Sequence, residues 1–280
     1  MPAPDTITAP QLSRLIGLPD APLLLDVRTD EDYAADPRLL PASLRRDFRT
    51  AAAWAGDHAG RSVVVVCQRG LKLSQGVAAW ARHAGAKAEV LEGGFEEWEA
   101  GGNLLLRPDR IPPRDTQGRT VWVTRARPKI DRIACPWLIR RFVDPGAAFL
   151  FVAPSEVTAV ADRFGATPFD VEDVFWSHRG EGCTFDTMVE EFGLRSSDAL
   201  ARLAPIVRGA DTARLDLAPQ SAGLLAASLG LSRMFRDDLS QLEAAMALYD
   251  AFYRWSRDAV TETHNWPVAA VPAAGGRSRT

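Results

Sequence analysis

Four consecutive valines, Val63 to Val66, run straight into Cys67. The run has neither the 3.6-residue period of an amphipathic helix nor the alternation of a half-exposed strand. It therefore reads as a strand buried on both faces, the kind that lies inside a parallel sheet. A short loop follows, Gln68-Arg69-Gly70-Leu71-Lys72-Leu73, with one glycine and two cations, and from Ser74 to Arg82 the pattern is helical with Ser74 as N-cap. This order sets Cys67 at the carboxyl end of a central strand, facing a helix N-terminus, where open α/β sheets bind ligands. Converging loop N–H groups, the helix dipole, and the charges of Arg69 and Lys72 all favour thiolate over thiol, which marks Cys67 as a nucleophile. Its plainer role is that of a small core residue closing a strand.

The surroundings of this element repeat its logic. Leu23-Leu24-Leu25-Asp26-Val27-Arg28 predicts a second buried strand ending in polar residues, and Ala88-Glu89-Val90-Leu91 predicts a third. Helices are expected at Ala9–Gly17, with Pro10 in its first turn and glycine as its stop, and from Phe95 to Ala100. Alternating strands and helices at this spacing imply a parallel sheet with crossover helices. Cys67 to Ser74, with Asp26-Val27-Arg28 upstream and Leu91-Glu92-Gly93-Gly94-Phe95-Glu96-Glu97-Trp98 downstream, resembles the rhodanese-like domains over roughly residues 5–105. The resemblance implies an α/β sulfurtransferase whose loop cysteine carries sulfane sulfur as a persulfide. It implies Cys67, Lys72 and Arg69 as the catalytic set, Gln68, Gly70, Leu71 and Leu73 as the rest of the active-site loop, and Asp26 and Arg28 as scaffold. Two stretches depart from the family pattern. Arg38 to Ser43 stands where Gly-His-Ile before Pro-Gly-Ala is frequent, and Leu73 stands where a Ser or Thr often follows the basic residue.

Phosphatases and arsenate reductases use a similar loop, but they need an arginine six positions after the cysteine to grip an equatorial oxygen bidentately. That position is Leu73. The loop chemistry thus leaves a sulfurtransferase, with a thiosulfate-like donor and a thiol or cyanide acceptor and no cofactor, or a binding-only domain in an oxyanion sensor.

At 280 residues, 46% hydrophobic and 25% charged, the chain can hold two cored domains. The expected division is 1–105, a Pro/Arg-rich linker over 106–119, a second domain over 120–265, and a disordered tail over 266–280. The longest apolar runs, Leu23–Leu25, Val63–Cys67 and Ala147–Ala153, are too short to span a bilayer. Met1 to Asp5 carries no basic region leading into an apolar stretch, and Cys67, Cys135 and Cys183 are too scattered for a disulfide framework. A reduced, cytoplasmic setting with no membrane partner is expected. Net charge is −3, yet Arg107 to Arg141 hold ten basic residues against Asp109, Asp115 and Asp131. Such a stretch attracts small oxyanions more readily than it specifies nucleic acid, and as a plain alternative it is a solvated arginine-rich surface.

The second half predicts strands at Thr120–Thr124 and Phe149–Val152. Pro136 either starts a helix or kinks one begun at Asp131. A helix capped by Ser155 is expected to run to Phe164, then a polar loop from Ser177 to Thr184, and helices over about 185–192, 197–209, 219–230 and 238–262. In the last of these, Leu239, Leu242, Met246, Tyr249, Phe252 and Tyr253 fall on one face. The whole is a mainly helical α+β domain. Thr124-Arg125, Pro128 to Phe142, Ser177-His178-Arg179-Gly180, Cys183-Thr184-Phe185-Asp186 and Ile206 to Asp211 resemble the C-terminal domain family of the chromate-resistance protein ChrB, over about 120–262. That resemblance implies a process, chromate resistance, and a chromate-responsive regulator as one form of it.

Arg125, Lys129 and Arg132 are candidates for gripping a tetrahedral dianion such as chromate or thiosulfate. His178, Cys183, Asp186 and Asp211 are candidate ligands for a divalent metal, with a hydrogen-bonded polar loop as the alternative. Cys135 reads as packing, the tryptophans of the second domain as core, and His58 and His83 as surface residues; His264 starts the tail.

Overall fold

The computed structural model describes residues 5–263, so His264 and the tail expected over 266–280 lie outside the described residues. Five strands form the first sheet: β1 (Thr6–Ile7), β2 (Leu23–Asp26), β3 (Ser43–Arg45), β4 (Ser62–Val66) and β5 (Lys87–Leu91). Their order is β1-β5-β4-β2-β3, and every pairing is parallel. The helices here are α1 (Ala9–Ser13), α2 (Asp30–Ala35), α3 (Ala51–Trp54), α4 (Lys72–His83) and α5 (Gly94–Ala100).

The valine run behaves as a doubly covered strand. Val63, Val65 and Cys67 pack with Val77, Ala78 and Ala81 of α4, while Val64 and Val66 join Leu24, Leu91, Phe95 and Trp98 on the opposite face. Successive side chains of a strand point to opposite faces, so only an unbroken apolar run serves a strand covered on both.

The second half carries a three-stranded parallel sheet, order β7-β6-β8, from β6 (Val121–Arg125), β7 (Ala148–Val152) and β8 (Thr167–Pro168). Around it lie α6 (Asp131–Leu138), α7 (Val157–Phe164), α8 (Thr184–Glu191), α9 (Asp198–Asp211), α10 (Ser221–Met234) and α11 (Asp238–Arg254). Pro136 sits inside α6, which continues as a π-helical turn over Ile139–Val143. A proline cannot donate to the carbonyl four residues back, and the altered hydrogen bonding after it fits that loss. Trp137 is fully buried among Phe142, Phe185, Tyr249 and Tyr253, and Trp122 among Phe169, Trp176 and Phe192.

The two halves share one core. The cluster holding Val64, Val66 and Trp98 of the first sheet continues without a break into Trp137, Phe142, Met188 and Tyr249. Ala42 N–H donates to the Phe142 carbonyl, Tyr253 Oη to the Ile16 carbonyl, and Arg257 to the Arg14 carbonyl. The segment between the halves is docked: Leu106 is buried and bridges to Leu39, Arg110 pairs with Glu191 at 3.2 Å, and Arg114 with Asp144 at 3.0 Å.

Four local expectations are corrected. Ser74 does not cap α4, because Leu71 precedes the first helical residue and Ser74 lies buried within the first turn. Ser155 does not cap α7 either; it lies in a 3-10 turn, Pro154–Glu156, that leads into the helix. His58 is buried rather than surface, packed edge-on to Trp54 at 6.0 Å between centroids. On α11 the buried face is Leu242, Ala245, Met246, Tyr249 and Tyr253, while Leu239 is exposed.

Candidate functional site

Cys67 follows the last residue of β4, and the next helix begins five residues later at Lys72. Two glycines let the loop fold tightly over the end of the sheet. Gly70 has φ +68°, and a Cβ there would lie 2.4 Å from the Leu91 carbonyl oxygen; Gly94 has φ +63°, and a Cβ there would lie 2.3 Å from the Cys67 carbonyl oxygen. Backbone donors from the start of α5 fix the loop from below, Phe95 N–H to the Cys67 carbonyl and Glu96 N–H to the Gln68 carbonyl. The glycine pair thus allows the backbone contact that holds the cysteine in place.

Cys67 Sγ lies 3.1 Å from Ser74 Oγ, and Ser74 Oγ in turn donates to the Leu71 carbonyl. Cys67 is 4% exposed and lines a cleft of about 590 Å³ together with Thr29, Asp32, Gln68, Arg69, Leu71, Lys72, Leu73 and Glu96. The two loop cations differ in their surroundings. Arg69 Nε is bound to Glu96 Oε1 at 3.1 Å, an oxygen that also accepts from Gln68. Lys72 is exposed, with no ion pair among the described residues, and stands in the first turn of α4 on the cleft wall.

Asp26 and Arg28 form a fully buried ion pair at 2.6 Å. The guanidinium also donates to the Asp36 and Arg38 carbonyls and lies 3.8 Å from the centroid of the Phe95 ring. Its donors are taken up by Asp26 and by carbonyls of the segment after α2, an arrangement that ties backbone together as a scaffold does.

A second constellation forms at the carboxyl ends of β6 and β8. Nε2 of His178 lies 3.2 Å from Asp211 Oδ2, 3.4 Å from Asp170 Oδ1 and 3.7 Å from Asp131 Oδ2. Arg132 reaches Asp170 Oδ2 at 3.3 Å and Arg125 reaches it at 3.6 Å. Asp131, at the start of α6, is wholly buried; its Oδ2 accepts from the Thr184 and Phe185 N–H groups and its Oδ1 accepts no N–H or O–H hydrogen bond. Burial, then the charges of Asp211 and Asp170, raises the Asp131 carboxyl far above the usual range. Hydrogen bonds to Asp170 and Asp211 push His178 up to about 10.

The structure thus brings together His178 and Asp211, with Arg125 and Arg132 beside them. Lys129 is exposed and makes no side-chain contact with the cluster among the described residues. Asp186 is drawn elsewhere, while the Cys183 thiol stays beside Asp131 without facing His178 among the described contacts. Cys183 is the N-cap of α8, its N–H donates to Asp186 Oδ2, and Asp186 faces Arg208 at 3.5 Å. Burial first, then the nearby Asp131, raises the Cys183 thiol, which disfavours its thiolate. Sequence reasoning missed Asp131 and Asp170 as partners of His178. Asp170 follows β8 and Arg125 ends β6, so the rule that ligands gather at the carboxyl ends of parallel strands was the available signal.

Residues 122–256 match the family described as "ChrB, C-terminal domain", and residues 8–101 match the "Rhodanese-like domain". The chain is 31% identical over 195 residues to Protein ChrB of Cupriavidus metallidurans, an alignment covering 66% of this chain and spanning 57% of that protein's length. Among solved structures, a rhodanese-like domain protein from Staphylococcus aureus is similar at 26% identity, covering 34% of this chain and 90% of that one, with a TM-score of 0.30. A rhodanese-related protein from Thermoplasma volcanium is similar at 20% identity, covering 36% and 95%, with a TM-score of 0.31.

Proposed function

We propose, on the premise that this chain joins a rhodanese-like domain to a ChrB C-terminal domain, that it is a sulfurtransferase acting through Cys67 in a process linked to chromate resistance. The supporting observation is that Cys67, at the end of β4, lines a cleft of about 590 Å³ that Lys72 also lines, with no acid paired to Lys72 among the described residues. The Cys67 thiolate attacks the outer sulfur of a thiosulfate-like donor. The S–S bond breaks, sulfite leaves with the bonding pair, and Cys67 holds a persulfide. A thiolate or cyanide then attacks the terminal sulfur, takes it up, and returns Cys67 as thiolate. Lys72 holds the dianionic donor against the charge of the thiolate, whereas Arg69, already bound to Glu96, shapes the loop. The expected setting is the cytoplasm, where thiols stay reduced. None of the helices among the described residues is long and apolar enough to cross a membrane.

Thiosulfate:cyanide transfer, with mass spectrometry of the protein after thiosulfate alone, tests this. Cys67→Ser should abolish both transfer and the added sulfur. Lys72→Ala should raise KM at least as much as it lowers kcat. Sulfur on Cys135 or Cys183, or an active Cys67→Ser variant, sinks the assignment. One observation favours a second reading, a chromate-responsive oxyanion regulator whose first domain only binds: Cys67 is just 4% exposed. Chromate binding without any persulfide selects that reading.

A further inference from the structure

The His178 constellation shares no residue with the cleft at Cys67. We propose that Asp131, Asp170, Asp211 and His178 form a binding site for one divalent transition-metal ion, open to solvent on the His178 side.

Geometry is the first ground. One ligand atom each from Asp131, Asp170 and His178 lies within 4.8 Å of the others, and Asp211 Oδ2 is 3.2 Å from the same imidazole nitrogen. Ligands about 2.0–2.2 Å from a shared ion stand roughly 3–4 Å from one another, so Asp131, Asp170 and His178 need little movement to close on a metal, and Asp211 joins them from beside the imidazole.

The second ground is Asp131 itself. Its side chain has no exposure, its carboxylate stands 3.7 Å from His178 Nε2, and Oδ1 accepts no N–H or O–H hydrogen bond, with only the weak donor of the Cys183 thiol near the carboxyl. A buried carboxylate oxygen left open must take up a proton or a cation. The N–H groups of Thr184 and Phe185 at the start of α8 hold Oδ2, and Thr184 Oγ1 donates to Asp170 Oδ1. Arg132 and Arg125 hold the far oxygen of Asp170. Asp131 and Asp170 thus have the outer support that orients a metal ligand.

Charge is consistent with this. Three carboxylates, a neutral imidazole and a dication leave one negative charge, and the two guanidiniums on Asp170 face it. One imidazole among carboxylates suits manganese, iron or zinc better than calcium or magnesium, which prefer oxygen alone. His178 is 43% exposed, which leaves coordination positions for water on that side.

The competing occupant is a proton, giving an imidazolium among carboxylates with no metal. The untagged full chain, stripped with a chelator, is titrated calorimetrically with Mn²⁺ and, separately, Zn²⁺, and the bound metal is counted after dialysis. One equivalent is expected. His178→Gln, at a partly exposed position, should weaken binding by about 100-fold or more, while Asp186→Asn, whose carboxylate accepts from the Cys183 N–H and faces Arg208, leaves one equivalent bound. Circular dichroism reports whether the variant is folded. If His178→Gln fails to fold, Co²⁺ bound to the unaltered protein decides: ligand-field bands without thiolate-to-metal charge transfer support the site. Failure of the unaltered chain to bind, unchanged binding by folded His178→Gln, or a thiolate band overturns the proposal.

Discussion

At the scale of single residues, sequence distance to Cys67 is a poor guide to role. Arg69 is two positions away, but its Nε is bound to Glu96; Ser74 is seven away and touches the sulfur. His58 makes the same point about burial. It lies in a polar-looking stretch, yet it is buried, and neither ring nitrogen has a hydrogen-bond partner. Burial lowers its folded-state pKa from 6.5, with the charges of Arg61 and Arg46 adding to the effect. The unfolded chain therefore binds the proton more readily than the folded one. Stability from this group is complete above the unfolded value and falls as pH drops through it toward the lower folded value. A His58→Phe variant should lose less stability than the unaltered protein between about pH 7 and about pH 5. Urea melts at both pH values measure it, and equal losses in the two proteins refute it.

At the scale of elements, the loop after β4 is held by backbone contact, so its tolerance to change is set by atoms that a Cβ would meet. Gly94→Ala places a methyl group against the Cys67 carbonyl and forces a positive φ on alanine. It should cost about 2 kcal/mol or more and displace the cysteine, with activity falling further than stability alone requires. Gly76 in α4 is the contrast: it is helical, and nothing lies within 4 Å of its would-be Cβ. Gly76→Ala should leave activity intact and stabilise by about 0.5–1 kcal/mol. Thermal melts alongside sulfur-transfer assays check both, and a fully active, equally stable Gly94→Ala protein contradicts the account of the loop.

At the scale of the whole molecule, the shared core links the two halves energetically. Phe142 belongs to the second half, yet it contacts the position of Gly17, and its carbonyl accepts from Ala42. Phe142→Ala should cost about 3–5 kcal/mol and lower the protection of both halves together. Hydrogen exchange followed by mass spectrometry reads this directly. Loss confined to peptides of the second half, with β4 unchanged, shows that the halves unfold independently.

The sequence by itself determined three of the five strands of the first sheet, β2, β4 and β5, and the place of Cys67 at the end of β4, because the valine run, the glycine loop and the following helix are local patterns whose physics needs no distant partner; the short edge strands β1 and β3 carry no such pattern. It determined the strands β6 and β7 and the long helices of the second half by the same periodicity. Only tertiary structure decided which acids meet His178. Asp131, Asp170 and Asp211 are separated by dozens of residues, and nothing local distinguishes them from Asp186, which caps a helix instead. Tertiary structure also decided that the proline-rich segment docks against both halves, and that His58 and Leu106 are buried, since burial depends on what the rest of the chain lays over a residue. Local chemistry fixes what a side chain can do, but the packing of distant elements fixes which partners and how much water it has.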